Sequence, residues 1–159
     1  MSSPAKDFLL MRFVPSGPDG GLLVLRLLIG LNLFLKHGWE KPTTFAAMAV
    51  NFPDPIHIGP VPSLVFALIS DAICSVLVML GLGTRWAALY IIVNVSTAWA
   101  LVHHFVFYGV PYGLGDHGEL CTLYISAFLA IFVAGPGRYS LDAIIAKGAD
   151  APVKPVTVS

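Results

Sequence analysis

The side chains best suited to metal binding or proton transfer are five histidines and several carboxylates spread along the chain. They are His37, His57, His103, His104, His117, Glu40, Asp54, Asp116 and Glu119. Imidazole nitrogen binds transition metals, and imidazole and carboxyl groups can both exchange protons with a bound substrate. These residues are far apart in the sequence, so either chemistry requires a fold that collects them in one place.

The composition of the chain indicates that this fold is built in a lipid bilayer. Of its 159 residues, 57% are hydrophobic and only 11% are charged, against roughly 25% charged in soluble domains. The mean hydropathy is +0.81. The formal net charge is zero and there is no basic tract, which argues against a nucleic-acid partner.

Four apolar segments have about the length needed to cross a bilayer, which is ~20 residues. They are residues 20–39, 62–83, 86–108 and 118–134, the last being short. Lysine and arginine favour the cytoplasmic side of short loops, and most of them fall at one end: Lys6, Arg12, Arg85, Arg138, Lys147 and Lys154. We therefore predict an all-α integral membrane protein, an up-down-up-down four-helix bundle with both termini in the cytoplasm. Residues 1–19 and 143–159 would be cytoplasmic tails on a membrane domain of residues 20–142.

In this topology the histidines and carboxylates named above all lie at the outer end of the bundle. The layer could bind a metal, supply protons to a quinone headgroup, or form an ordinary polar interface, and no metal-ligand spacing selects the first. Helical spacing from Asn94 favours His104 over His103 as the histidine that faces the bundle. The candidate quinone and proton-site residues are His37, His104, His117 and Glu119, with Trp39, Trp99, Phe105 and Tyr108 as an aromatic wall.

Two ionisable residues, Arg26 and Asp71, fall inside predicted spanning helices, where charges are costly unless paired. Their depths differ by ~7 Å, which an arginine side chain can largely cover. We predict a structural ion pair between them. Cys74 and Cys121 differ in depth by more than the ~7 Å that a disulfide allows between Cα atoms, so both are predicted to be unpaired packing residues.

Several motifs of this chain resemble the DoxX family of small bacterial and archaeal membrane proteins. They are LRLLIG at residues 25–30, HGWEK at 37–41, LGLGTRWAA at 80–88, GEL at 118–120 and GPGRYSLD at 135–142. The match is in the order and spacing of the motifs, over about residues 20–142. One departure is Asp71, where the family usually has glutamate.

The resemblance implies a link to membrane redox complexes, because the family takes its name from a subunit of a thiosulfate:quinone oxidoreductase. The leading hypothesis is an accessory membrane subunit of a quinone-linked redox complex in a bacterial or archaeal cytoplasmic membrane. The chain has no haem-attachment or dinucleotide motif, so a partner protein would deliver the electrons. The alternatives are a non-catalytic anchor or assembly subunit and, last, a small solute or metal transporter. Homo-oligomerisation is left open.

Overall fold

The computed structural model describes residues 17–107 and 118–149, and every regular element in these ranges is helical. We number the helices α1 to α6. Their bounds are Pro18–Thr43, Phe45–Asn51, Pro60–Leu80, Thr84–Val102, Gly118–Ala134 and Leu141–Ala149, in chain order. The predicted all-α class is confirmed for this part of the chain.

Three of these helices are long and apolar enough to cross a membrane. They are α1, α3 and α4, with 26, 21 and 19 residues, while α5 is shorter with 17. The chain is therefore a membrane helical bundle with three to four apolar helices. The up-down-up-down crossing order, the cytoplasmic termini and the domain boundaries stay predictions, and most of both predicted tails lies outside the described residues.

The bundle is apolar both inside and outside. Leu33, Val78, Ile91, Phe128 and Ile131 form a core with at most 2% of their surface exposed. Large apolar side chains such as those of Leu28, Trp86 and Val133 point outward at the same time. A helix that is apolar all round is typical of a membrane span, because lipid replaces water as the outer solvent.

All three long helices contain a π-helical segment, in which each backbone N–H bonds to the carbonyl five residues earlier instead of four. The segments are Phe34–Gly38 in α1, Ile69–Cys74 in α3 and Ala98–Val102 in α4. Such segments are rare and occur frequently at functional sites. The first two segments are in close contact at Gly38, where a Cβ atom would overlap the backbone carbonyl of Asp71.

The connection between α1 and α3 contains the short helix α2. Phe45, Met48, Ala49 and Phe52 are half-buried while the residues between them are exposed, so α2 and the residue after it bury one face. The helix begins at Phe45, directly after the last turn of α1, which contains Pro42.

Asp54 organises the loop after α2. Its carboxylate accepts hydrogen bonds from the backbone of Ile58 and Gly59 and from the hydroxyl of Ser63, at 2.7–3.0 Å. Burial raises the pKa of Asp54, but these hydrogen bonds and the charge of His57 outweigh it, so the net shift is downward. The loop is thereby tied to the first turn of α3.

The segment at residues 135–142 folds back onto the turn between α3 and α4. Asp142 accepts hydrogen bonds from the backbone N–H groups of Gly83 and Thr84 (2.7 and 2.9 Å) and from the Thr84 hydroxyl (2.8 Å). Its own N–H donates to the Gly81 carbonyl at 2.8 Å. Asp142 thus satisfies free donors at the start of α4, the role of an N-cap, from 58 residues further along the chain.

Candidate functional site

A buried ion pair joins α1 to α3. The Lys41 ammonium lies 2.6 Å from Oδ2 of Asp71 and also donates to the His37 carbonyl at 3.1 Å. Asn94 of α4 donates to Oδ1 of Asp71 at 3.3 Å. Three helices therefore meet at one carboxylate.

The ion pair forms part of the wall of a cavity of about 480 Å³. Residues from α1, α3, α4, α5 and the α2 connection line it. Apolar side chains such as Leu33, Phe52, Phe66 and Val102 make up most of its surface. The polar side chains in the wall include His37, Lys41, Asp71, Asn94, Thr97, His103 and Tyr124. A largely apolar pocket with a few convergent polar groups is typical of a small-molecule site.

Tyr124 positions α5 against this wall. It is only 3% exposed, and its hydroxyl donates to Oδ1 of Asn32 on α1 at 2.8 Å. The ring of His37 meets it edge-on, with ring centroids 6.4 Å apart. The position of His37 is thus set by contacts with α5 as well as by its own helix.

The family model described as DoxX matches residues 21–104, more than half of the chain. The chain belongs to the DoxX family.

Two relatives come from Haemophilus influenzae, and both are described only as uncharacterized proteins. One is 30% identical over 135 residues, covering 82% of this chain and 87% of the relative. The other is 28% identical over 121 residues, covering 76% and 87%. No solved structure matches the chain. The comparisons therefore establish a DoxX membrane protein and leave its activity open.

The predicted Arg26–Asp71 ion pair is not formed in this DoxX protein. Nη2 of Arg26 donates instead to the Tyr139 carbonyl at 2.7 Å, in the segment that folds back beside Asp142. The carboxylate of Asp71 accepts hydrogen bonds from Lys41 and Asn94. Depth along the bundle does not tell which way a long side chain extends. Arg26 extends away from Asp71, towards the Tyr139 carbonyl.

Sequence reasoning did not find Lys41 as a site residue, because it lies beyond the predicted end of the first spanning segment at residue 39. Helix α1 continues past the predicted end at residue 39 to Thr43 and carries Lys41 into the bundle. The available signal was the i, i+4 spacing of His37 and Lys41, which places both on one helix face.

Of the predicted quinone or proton residues, His37 lines the cavity and His104 does not. His104 is exposed and has a positive φ of 49°, just beyond the end of α4, whereas His103 is in the cavity wall. The spacing argument from Asn94 assumed 3.6 residues per turn. The π-helical segment Ala98–Val102 and the helix end at Val102 change the register by the time the chain reaches the histidines.

Glu119 lies outside the cavity, and His117 lies outside the described residues. Glu119 is exposed on α5, where it lines a separate shallow hollow with Thr122, Leu123 and Ser126. Cys121 and Tyr124, on another face of the same helix, line the cavity. The predicted outer layer is therefore divided: His37, Glu40 and His103 line the cavity, whereas Glu119 lies on the outside of α5.

The remaining predicted groups have other surroundings. Trp39 is 62% exposed, and Trp99 packs against the core and meets Phe105 at 5.3 Å between ring centroids, but none of the three lines the cavity. Cys74 and Cys121 are both buried and free, which confirms that they are not bridged. Within residues 17–107 and 118–149, no group of three or more histidine, cysteine or acidic residues could hold a metal.

Proposed function

We propose that this DoxX protein is the membrane subunit of a quinone-linked redox complex and that its cavity binds the quinone headgroup. The observation that carries the proposal is the Lys41–Asp71 ion pair in the wall of a largely apolar cavity. Paired charges in a largely apolar pocket of a membrane bundle suit a ligand that arrives from the bilayer with an apolar tail and a polar head.

The charged and polar side chains in the cavity wall favour an uncharged ligand. Lys41 and Asp71 compensate each other, and Glu40, the other carboxylate in the wall, is exposed, so a ligand with a net charge would introduce an unpaired charge beside the buried pair. A lysine has three N–H donors, and two of them are directed to His37 and Asp71. The third suits a carbonyl oxygen, which is the polar group that a quinone presents.

Asn94 adds a second polar contact. Its amide NH₂ group donates to Asp71, and its amide oxygen is a hydrogen-bond acceptor. That oxygen suits a hydroxyl, which is what a quinone carbonyl becomes on reduction. Lysine and asparagine together therefore fit both the oxidised and the reduced form of the headgroup.

The chemistry of a bound quinone is uptake of two electrons and two protons to give a quinol. The electrons come, in this proposal, from a redox centre in a partner protein. Lys41 holds a proton next to the carbonyl oxygen, and Asp71 orients that ammonium group. His37 stands in the same wall as a second group that can exchange protons.

The proposal includes a topology in which all four apolar helices cross the cytoplasmic membrane with both termini inside. A helix of 17 residues rises about 26 Å, close to the hydrocarbon thickness of a bilayer. Arg85 and Arg138 are exposed together at one end of the bundle. Lys41, at the other end, is buried in the bundle and is not a loop cation. Exposed cations are therefore more strongly concentrated at the end that carries Arg85 and Arg138, which favours that end as the cytoplasmic one.

Binding of decylubiquinone to the purified protein in nanodiscs tests the cavity. We expect Asn94→Leu, which removes both polar ends of the amide, to weaken binding by about tenfold, as the loss of a buried hydrogen bond would. The matched controls are Ser126→Ala and Glu119→Gln, on the outer face of α5. Equal binding by Asn94→Leu and the controls would remove the cavity from quinone binding.

A second candidate function is a non-catalytic anchor or assembly subunit. The observation in its favour is the hollow formed by Glu119, Thr122, Leu123 and Ser126, which exposes polar groups on the outside of α5. Polar residues commonly mark helix–helix contacts in membranes. If this function is correct, Glu119→Gln and Ser126→Leu lower the yield of the assembled complex while quinone turnover per complex is unchanged.

A further inference from the structure

Helix α6 has an apolar face that nothing in the described chain covers. Leu141, Ile144 and Ile145 are 38%, 64% and 59% exposed. Their i, i+3, i+4 spacing places them on one side of the helix. Asp142, Ala146 and Lys147 lie on other sides. An exposed apolar face of this kind indicates a surface that contacts something less polar than water.

The position of α6 relative to the bundle is determined by hydrogen bonds at its first turn. Asp142 accepts from the backbone of Gly83 and Thr84, and its N–H donates to the Gly81 carbonyl. The hydroxyl of Ser140 accepts from the N–H of Ala143 at 3.1 Å. Helix α6 therefore starts beside the turn where α3 ends and α4 begins. For spanning helices, this turn lies at the level of the membrane surface.

Among the described residues at this end of the bundle, the charged side chains that are exposed are cations. Arg85, Arg138 and Lys147 are exposed. The nearby acidic groups are bound to backbone N–H donors: Asp19 accepts from Arg138 at 2.8 Å, and Asp142 accepts from the start of α4. Exposed cations next to an apolar helix face match a bilayer with anionic headgroups.

We infer that α6 is an interfacial helix, which lies on the anionic lipid surface at this end of the bundle with Leu141, Ile144 and Ile145 inserted among the headgroups. Tyr139, which is 61% exposed just before the helix, lies at the same level, where tyrosine is enriched in membrane proteins. The helix is too short to cross the bilayer at nine residues, so contact from the surface is the only way it can bury this face in lipid.

The bundle thus has a lipid-facing surface on its end as well as on its sides. This inference does not depend on quinone binding. It makes the Asp142 network a connection between the spanning helices and the membrane surface, because the same residue caps α4 and lies in the first turn of α6.

Spin labels on opposite faces of α6 test the inference. The full-length protein carries Cys74→Ala and Cys121→Ala, and the label is placed at Ile144→Cys or, as the matched control, at Ala146→Cys. Nanodiscs contain phosphatidylcholine with one third phosphatidylglycerol. Collision rates are measured with oxygen, which concentrates in lipid, and with a water-soluble nickel chelate.

We expect the label at 144 to collide more with oxygen than with the nickel chelate, and the label at 146 to show the reverse. The difference in these collision rates between positions 144 and 146 should become smaller in discs of phosphatidylcholine alone. Equal access of nickel to both labels would overturn the inference, since it would place the apolar face in water. Shielding of the label at 144 from both reagents would also overturn it, because a second copy or a partner protein would then cover that face. Ile145→Cys repeats the measurement if Ile144→Cys does not fold.

Discussion

Lys41 and Asp71, 30 residues apart in the sequence, form a buried ion pair with their charged atoms 2.6 Å apart. Their side chains are only 10% and 8% exposed. The pair lies where the π-helical segments of α1 and α3 approach each other, and Asn94 brings α4 to the same carboxylate. It is both a connection between helices and the polar part of the candidate site.

Removing one member of this pair should be worse than removing both. We expect Lys41→Met to lower the free energy of unfolding by about 3–5 kcal/mol, because Asp71 would remain as an unmatched buried charge. The double variant Lys41→Met/Asp71→Leu should recover much of this loss. The measurement is unfolding by SDS in mixed micelles.

Lys36→Met is the control for this experiment, since Lys36 is on the same helix but exposed. It should change stability by no more than ~0.5 kcal/mol. A double variant that is less stable than Lys41→Met would contradict the assignment of a compensated pair.

Gly81 and Gly83 provide a matched comparison in the turn between α3 and α4. Both have a positive φ, 71° and 56°, so alanine should cost about 1–2 kcal/mol at either. At Gly81 the new methyl group would also overlap the Arg26 guanidinium and Ser140, whereas Gly83 faces open space.

We therefore expect Gly81→Ala to destabilise the protein by at least ~1 kcal/mol more than Gly83→Ala, as overpacking at a tight contact does. Thermal unfolding in detergent would measure both. Equal losses would show that segment 135–142 does not pack against the turn in solution.

Asp142 should make stability depend on pH in the acid range. Burial raises its pKa, but hydrogen bonds from Thr84 and Gly83 and the charge of Arg26 outweigh this, so its pKa in the folded protein lies below the usual value. A lowered folded pKa means that the carboxylate stabilises the fold fully above the unfolded pKa of about 3.9. The contribution is lost as the pH falls through the folded pKa.

Asp142→Ala should therefore cost about 1 kcal/mol at neutral pH, as the loss of an N-cap does. The difference in the free energy of unfolding between this variant and the unmodified protein should shrink as the pH falls below about 4. Stability measured in detergent from pH 3 to pH 7 checks this. A difference that is constant over the whole range would rule out the carboxylate as its source.

The two cysteines should differ in their reaction with small lipophilic reagents. Cys121 lines the cavity, whereas Cys74 is buried in the core away from it. We expect N-ethylmaleimide to label Cys121 in the folded protein while Cys74 reacts only after unfolding, as mass spectrometry of the intact protein and its peptides would show. Preferential labelling of Cys74 would mean that the cavity is not open to small molecules.

Sequence patterns were a good guide to helices and a poor guide to side-chain partners. The apolar segment 118–134 coincides with α5, and the free cysteines follow from helix rise alone. The choice of His104 over His103 was wrong for the cavity, because it applied regular helical spacing across a π-helical segment. The Arg26–Asp71 pair was wrong because depth along the bundle does not tell which way a long side chain extends.

The sequence by itself determined that the chain is a membrane protein, because hydropathy and helix length are local properties and the bilayer imposes them on every spanning segment. The DoxX motifs also lie in the sequence, at 37–41, 80–88 and 135–142. Only the tertiary structure decided that Lys41 pairs with Asp71 while Arg26 and Asp142 belong to the opposite end. Such pairs depend on helix rotation, on π-helical register and on competition among buried donors and acceptors, and these are settled only when the helices pack together.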